Sequence, residues 1–503
     1  MNKVTPTNRV LSQLLNGRKK QIKLSRKSNK RGDNTSIGKM LRLRAYYRDM
    51  SSILSTWEKF LSIRQKHTSD QYLVVDQAIL HTSHHQVKSL VQAEPQLRGN
   101  HLGILEILSP SYLLNYPISS ATNGRTHAGL RAVFQQALPD PFDRVSILSQ
   151  QVESFLDTAV QKGTLHAEND LPNLMLKVMH QLVFRFSPLK EEISNSRAYL
   201  KGLPLAALPN WVSRHLLWFK TRRSIRHRKR MTRLYQSATN WPDYLAIAAD
   251  YGLSADCVAN GLFDMIHIAG TAVTSPLLGS VIGVLCSNET ADTQLSTVNT
   301  AVIDSETKKK AIAEINTIWE NRTQLDTQAL QQATVLHRII LETARLYPPV
   351  RFVNQLAQSE GTIEISSPNK INSSHTEQSK TTPSKCPFHQ GTRLLGAIFT
   401  ANRDKDRYQN PDSFSIDRDF SDLLSWNGHN HERACPGMSL SIELTKIFCL
   451  HLFKHYQWES PEKVEWDFNK PTALTPNSLV LKNFSQKAHP AAHSPTEALH
   501  AHA

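Results

Sequence analysis

The chain has 503 residues, 40% hydrophobic and 20% charged, with five cysteines and a formal charge of +16 at pH 7. That apolar share builds a large core and excludes global disorder. Cys257, Cys286, Cys386, Cys435 and Cys449 show no paired spacing, which excludes a disulfide scaffold and a CxxC zinc site and favours a reducing compartment. Residues 1–48 carry 14 Lys/Arg against Asp33 alone, and residues 214–233 carry nine against no acid. The rest of the chain is net acidic, so its body is not a nucleic-acid surface and no nucleic-acid partner is expected.

In chain order, residues 1–48 have no long apolar run, so they are neither a secretory signal nor a membrane anchor. They read as a flexible basic extension, with an organelle transit peptide as the alternative. Strand-like runs occur near 71–76, 361–365, 392–399 and 478–482. Apolar spacing of three and four predicts helices near 128–160, 171–185, 254–286, 309–320, 328–347 and 438–456. Between 204 and 237, Trp211, Leu216, Leu217, Trp218 and Phe219 adjoin the second basic run. That pattern fits a solvated helix, or one lying on an anionic membrane through 211–233. Residues 265–286 carry no formal charge and are long enough to span a bilayer. His267, Thr271, Thr274, Ser275 and Pro276 within them point instead to a helix through the middle of a soluble protein, hence a cytoplasmic one without a transmembrane anchor. Residues 366–386 are polar and low in complexity, an inserted surface loop, and 485–503 form a His- and Ala-rich disordered tail. Residues 49–484 then make one large domain, mainly α with small β-sheets.

Three segments carry chemistry. WNGHNHERACPG (426–437) puts Cys435 just before an apolar helical run, where free backbone N–H groups and the helix dipole favour a thiolate. Gly437 lets the backbone approach something flat, and Arg433 can meet an anionic group. A lone cysteine before a helix is usually structural, so this segment needs company. In ETARLYPP (342–349), Glu342 and Arg345 share a helical face, and the two prolines end the helix. An isolated Glu-x-x-Arg is most often a surface pair, but Ile339, Ile340, Leu341 and Leu346 argue for burial. The third segment, 401–418, is an irregular loop dense in Arg and Asp, with Asn402, Arg403, Asp404, Pro411, Phe414 and Arg418.

In this order the three segments resemble the cytochrome P450 family, whose pattern runs Glu-x-x-Arg, Asn-Arg-Asp…Pro-x-x-Phe…Arg, then Arg-x-Cys-x-Gly before a helix. Ala269-Gly270 stands where the family has its Ala-Gly motif. The resemblance covers roughly residues 125–470 and implies a single heme domain. It makes Cys435 the thiolate ligand of the iron of heme b, with Arg433, His127, Arg131, Gly437, Ala269 and Gly270 about the cofactor. Glu342, Arg345 and Arg403 become structural support of the cysteine loop.

The chain departs from the family pattern in three places. Gly428 and His431 stand where the family has Phe and Gly in the cysteine loop, with Trp426 as the candidate aromatic if the loop holds two extra residues. Gln355 replaces a propionate-binding Arg, with Arg351 nearby. After Ala-Gly-x the family has an acid and an alcohol that relay protons during oxygen activation, and here Ala272 and Val273 occupy those positions. Thr274 is one residue late, so only a local distortion of the helix would aim it, and Pro276 is the expected source. Thr274, Ser275 and Thr271 are the remaining relay candidates. The leading expectation is a monooxygenase inserting one atom of O2 into an apolar substrate, with NAD(P)H electrons from a separate ferredoxin, flavodoxin or reductase. The alternatives are a peroxide-using or hydroperoxide-rearranging enzyme, and a non-catalytic heme-binding protein.

Overall fold

Helix boundaries follow local chemistry more than periodicity. The expected helix over 128–160 is two, because Leu138-Pro139-Asp140-Pro141 interrupts it. Asp140 caps the second by accepting from the N–H groups of Phe142 and Asp143, and Pro141 sits in the first turn. Gly163, at φ 66°, closes its C-terminus in the left-handed conformation.

The computed structural model describes residues 73–75, 78–92, 124–202, 218–287, 303–320, 322–364, 385–429, 431–459, 461, 464–466, 475–477 and 479–487. The basic extension 1–48 and the segment carrying Trp211 lie outside them. In chain order the helices are α1 (His84–Gln92), α2 (Gly124–Ala137), α3 (Pro141–Lys162), α4 (Ala167–Phe184), α5 (Lys190–Gly202), α6 (Trp218–Gln236) and α7 (Trp241–Asp250). The central helix follows as α8 (Ala255–Asp264), a π-helical segment (Met265–Val273) and α9 (Thr274–Cys286). Then come α10 (Ser305–Trp319), α11 (Thr327–Gln332), α12 (Thr334–Leu346), α13 (Ile398–Ala401) and α14 (Met438–His455).

Small sheets edge this helical body. The largest has the order β1 (Leu73–Val75), β2 (Ala78–His81), β7 (Arg393–Ala397) and β4 (Phe352–Leu356). β2 runs parallel to β7 with His81 opposite Gly396, and β4 runs antiparallel with Gln355 opposite Leu394. β5 (Gly361–Glu364) pairs with β6 (Lys385–Phe388), so the polar insertion joins two paired strands and its last two residues are strand rather than loop. β3 (Thr164–His166), β11 (Val480–Gln486) and β8 (Tyr456–Glu459) form a third sheet, and β9 (Glu465–Trp466) pairs with β10 (Pro476–Asn477). β11 runs to Gln486, so Ser485 and Gln486 belong to the folded body and not to the expected tail.

The main core gathers α3, α4, α9, α10, α12 and α14, with Leu171, Leu278, Ile340 and Phe448 all buried. A second core joins α2, α4, α6, α7 and α8. Ala255–Cys286 is long and apolar enough to cross a membrane, but two thirds of its most apolar window is buried in the protein. Its Leu277–Leu285 stretch lies in the main core, as a central helix requires.

Candidate heme site

Cys435 sits on a loop built backwards from a short tight turn. Trp426, Asn427 and Gly428 all have positive φ, at 59°, 65° and 79°. The turn reverses the chain so that the Cys435 N–H donates to the Trp426 carbonyl at 2.8 Å. Asn427 Nδ2 donates to the Arg433 carbonyl at 2.8 Å. His431 Nδ1 accepts from the Arg433 N–H at 3.2 Å, which leaves Nε2–H to donate to the Asn427 carbonyl at 2.6 Å. The two positions where this loop departs from the family therefore have jobs of their own: Gly428 takes the left-handed turn and His431 stitches the loop. Trp426 is the aromatic side chain of this turn. Its indole N–H donates to Ser441 Oγ on α14 at 2.9 Å, and its ring packs against the main core.

The loop is anchored through a chain of buried groups that starts at Glu342. Glu342 and Arg345 are fully buried and pair through two bonds, 2.7 and 2.8 Å. Arg345 also donates to the carbonyls of Asn402 (2.7 Å), Pro411 (2.7 Å) and Ser413 (3.2 Å). Glu342 Oε1 also accepts from the Ser415 N–H at 2.9 Å and Arg418 Nε at 3.1 Å. Asn402 Nδ2 donates to Ser425 Oγ at 3.1 Å, and Ser425 donates to the Ala344 carbonyl at 2.7 Å. Ser425 immediately precedes Trp426, so α12 holds the turn that holds Cys435. Sequence reading missed Ser425, because a serine in a loop carries no pattern. Arg403 donates to the Leu346 carbonyl at 2.6 Å and lies 3.9 Å over the Phe399 ring, and burial lowers it to about 10.

Three cationic or titratable side chains converge beside Cys435. Arg131 Nη1, from α2, donates to the Ala434 carbonyl at 2.8 Å. Arg433 Nη1 lies 3.3 Å from His127 Nδ1. The helical spacing of His127 and Arg131 thus brings both to the cysteine loop. Burial lowers Arg433, and Arg131 nearby adds to that. Arg351 is buried instead among aromatic rings, 5.7 Å from Phe399 and 5.9 Å from Phe352, while Gln355 keeps a buried Oε1 without a hydrogen-bond partner among the described residues.

The other element expected at the site is the π segment. A π-helix bonds five residues back instead of four and realigns every side chain after it. The expected distortion is there, but it starts at Met265, well before Pro276. Between Val258 and Cys286 the positions that are not buried are Met265, Ile268, Ala269, Gly270, Ala272, Val273 and Thr274. Gly270 also admits α4: a Cβ there would lie 2.8 Å from the Met179 side chain. Two relay candidates turn away. Thr271 is fully buried and donates to the Ile266 carbonyl at 2.7 Å, and Ser275 donates to the Thr271 carbonyl at 2.7 Å. Thr274 keeps the loosest bond, 3.5 Å to the Ala269 carbonyl.

The π segment is tied from outside by α5 and α6. Ser196 Oγ lies 2.9 Å from His227 Nε2 and 2.9 Å from His267 Nε2, all three groups buried. His267 Nδ1 donates to the Phe263 carbonyl at 2.9 Å, so its Nε2 accepts the Ser196 proton, and His227 Nε2–H donates to Ser196. One turn earlier, Arg228 forks onto Asp264 at 2.8 and 3.2 Å, both residues buried.

These residues fit a flat, anionic, thiolate-bound group. A Cβ on Gly437 would meet Cys435 Sγ at 3.8 Å and nothing else within 4 Å, so a bare cradle lies beside the sulfur. Leu440, in the first turn of α14, packs against the same second core that holds Ile266 and against which Met265 and Ile268 of the π segment also pack. Burial raises the Cys435 thiol, opposed by the Gly437 amide and Arg131, so the expected thiolate needs more than the helix terminus. A metal ion at Cys435 would supply it, because a coordinating thiol is deprotonated outright.

No family model matches the chain. It is 24% identical over 201 residues to cytochrome P450 71D181 of Origanum vulgare, 37% of this chain and 35% of that protein. It is 23% identical over 186 residues to a (+)-vincadifformine 19-hydroxylase of Catharanthus roseus, 34% of this chain and 33% of the relative. A nicotine N-demethylase of Nicotiana tomentosiformis is 23% identical over 175 residues, 33% of this chain and 30% of the relative. The matches thus span about a third of the length of these curated relatives. Among solved structures, a cytochrome P450 heme domain superposes with a TM-score of 0.62 at 13% identity, covering 83% of this chain and 89% of the other. That superposition shows the fold of a cytochrome P450 heme domain, and the buried Glu342–Arg345 pair, its Asn402 loop and the Cys435 turn occur on it in the order of that family's pattern.

Proposed function

We propose that the chain is a heme-thiolate monooxygenase, with Cys435 as the axial ligand, an apolar organic substrate, and electrons from a separate redox protein that draws on NAD(P)H. The observation that supports this best is the Cys435 turn, held by Trp426 and Ser425 to the buried Glu342–Arg345 pair. Such over-determination is what a metal ligand needs for fixed geometry. Heme held there would supply activation of dioxygen and insertion of one oxygen atom into a C–H or C=C bond, the other leaving as water. Arg131, Arg433 and His127 would hold the acidic edge of that group by charge and hydrogen bonds. Ile268, Ala269, Ala272 and Val273 would wall the substrate space, exclude water and select an apolar molecule. Thr274 is the hydroxyl in this wall that can hold a proton or a water.

A second reading, peroxide use without dioxygen activation, draws support from one observation. Ala272 and Val273 carry no proton, and the Thr271 and Ser275 hydroxyls are committed to helix carbonyls. The test uses the reduced protein with carbon monoxide, then turnover. A strongly red-shifted Soret band in wild type that is absent in Cys435→Ser supports the ligand assignment. Product formed with NAD(P)H and a ferredoxin or flavodoxin system supports the monooxygenase, and product that forms only with peroxide and never with that system sinks it.

A further inference from the structure

The outward face of α6 has a role that the heme site does not absorb. At 3.6 residues per turn, Arg222, Arg223, Arg226, Lys229, Arg230 and Arg233 fall within about 120° of arc. The opposite face is fixed by burial of Ser224, His227, Arg228, Met231 and Tyr235. Arg228, the basic residue on that inner face, is neutralised by Asp264. Two of the outer cations have weaker partners. Arg223 donates to Asn195, which is neutral, and Arg230 meets Glu192 at 3.3 Å. Glu192 is the one acid among the residues lining a groove of about 700 Å³ along Arg226, Lys229, Arg230 and Arg233.

Apolar groups mark both ends of this stripe. Phe219, on the same arc of α6, is 55% exposed, and Leu189, just before α5, is 63% exposed. They are two of the four large hydrophobic side chains exposed among the described residues. The Leu189 N–H donates to Glu192 at 2.9 Å, which seats Leu189 at the acidic end of the groove. Cations flanked by exposed aliphatic and aromatic side chains match a bilayer surface, where phosphates lie above an apolar layer. A nucleic acid would give Leu189 nothing to enter.

We propose that the α6 face is a docking surface for an anionic lipid bilayer: Arg226, Lys229, Arg230 and Arg233 take lipid phosphates in the groove, and Phe219 and Leu189 enter the headgroup boundary. This rests on the surface alone and stands or falls apart from the heme chemistry.

The test is co-sedimentation of the full chain with vesicles of phosphatidylcholine, with and without phosphatidylserine. It compares wild type with the triple variant Arg226→Glu, Lys229→Glu, Arg233→Glu. Wild type should pellet with the anionic vesicles and stay in solution with neutral ones. At roughly fivefold per cation, the triple variant should lose about a hundredfold in partitioning while keeping its melting temperature. The basic extension 1–48 is common to both proteins, so its contribution cancels. Phe219→Ser should weaken the binding that remains at high salt. Partitioning of the triple variant within threefold of wild type overturns the proposal. So does equal binding of wild type to neutral vesicles, or full displacement from vesicles by duplex DNA at equal phosphate. If the triple variant fails to fold, Lys229→Glu alone carries the test, with a loss of at least fivefold expected and no loss overturning it.

Discussion

Replacing Glu342 by glutamine tests whether the buried ion pair holds the cysteine loop or merely fills space. The carboxylate is fully buried and accepts four hydrogen bonds: Arg345 Nε at 2.7 Å, Arg345 Nη2 at 2.8 Å, the Ser415 N–H at 2.9 Å and Arg418 Nε at 3.1 Å. A carboxamide matches the shape but brings an NH2 where every neighbour is a donor. One donor must then face another, and Arg345 and Arg418 lose the shared negative charge. Breaking one partner of a buried pair costs about 3–5 kcal/mol. That is about a fifth or more of a typical stability of ~5–15 kcal/mol. Chemical denaturation at neutral pH should show it as a lowered midpoint at unchanged slope. The carbon monoxide spectrum should weaken in parallel, since the Asn402, Ser425 and Trp426 links descend from the same helix. The exposed Glu306–Lys310 pair is the control, and Glu306→Gln should leave the midpoint where it is. A Glu342→Gln midpoint indistinguishable from wild type would refute the reasoning, because the pair would then be replaceable by neutral packing.

Three further outcomes are expected. His81 and His180 are pushed down to about 4 by burial, so the folded state keeps them neutral while the unfolded chain binds protons near its ordinary value. Their share of stability is whole above about pH 6.5 and is lost as pH falls toward 4, roughly 2 kcal/mol each by pH 5, so denaturation midpoints should drop over that window and a flat profile would contradict it. Ser425→Ala removes the hydroxyl between Asn402 and the Ala344 carbonyl; a loss of about 1–3 kcal/mol, with the cysteine loop exchanging amide hydrogens faster, is the expected result of isotope exchange by mass spectrometry. Ser196→Ala leaves His227 and His267 facing each other without a bridge, and amide exchange over 265–275 should rise while that of α12 stays unchanged.

The helical body and the Cys435–Glu342–Arg345 framework were legible because they depend on spacing. Glu342 and Arg345 share a face by arithmetic, and the proline pair after them stops the helix. What sequence could not give is the partner of a side chain whose contacts are remote. Ser425 bonds a carbonyl 81 residues away, and Ser196 reaches a histidine 71 residues on. Gly270 has a remote neighbour of the same kind: it makes room for the Met179 side chain, which its motif position does not announce. The helix at 241–250 is not among the expected ones, although Pro242 stands in its first turn, where proline starts a helix. The strand at 385–388 was hidden inside a polar stretch, where pairing with Gly361–Glu364 and not composition decides the structure.

The absent acid–alcohol pair and the π segment bear on the same problem. A helix that gives up its four-residue ladder over Met265–Val273 must recover the loss from packing or from side chains. Here the recovery is visible: the Arg228–Asp264 fork at its start, the Ser196 bridge onto His267, and the Thr271 and Ser275 hydroxyls on its own carbonyls. The order of protons in the bridge is also informative. His227 donates to Ser196, Ser196 to His267, and His267 to the Phe263 carbonyl, which has no proton to pass on. The row ends there, so it is a clasp and not a relay into the site. The buried polar groups around the central helix are thus spent on fixing its register. With Ala272 and Val273 unable to carry a proton, any proton reaching the open face must come through Thr274, a bound water or the substrate itself.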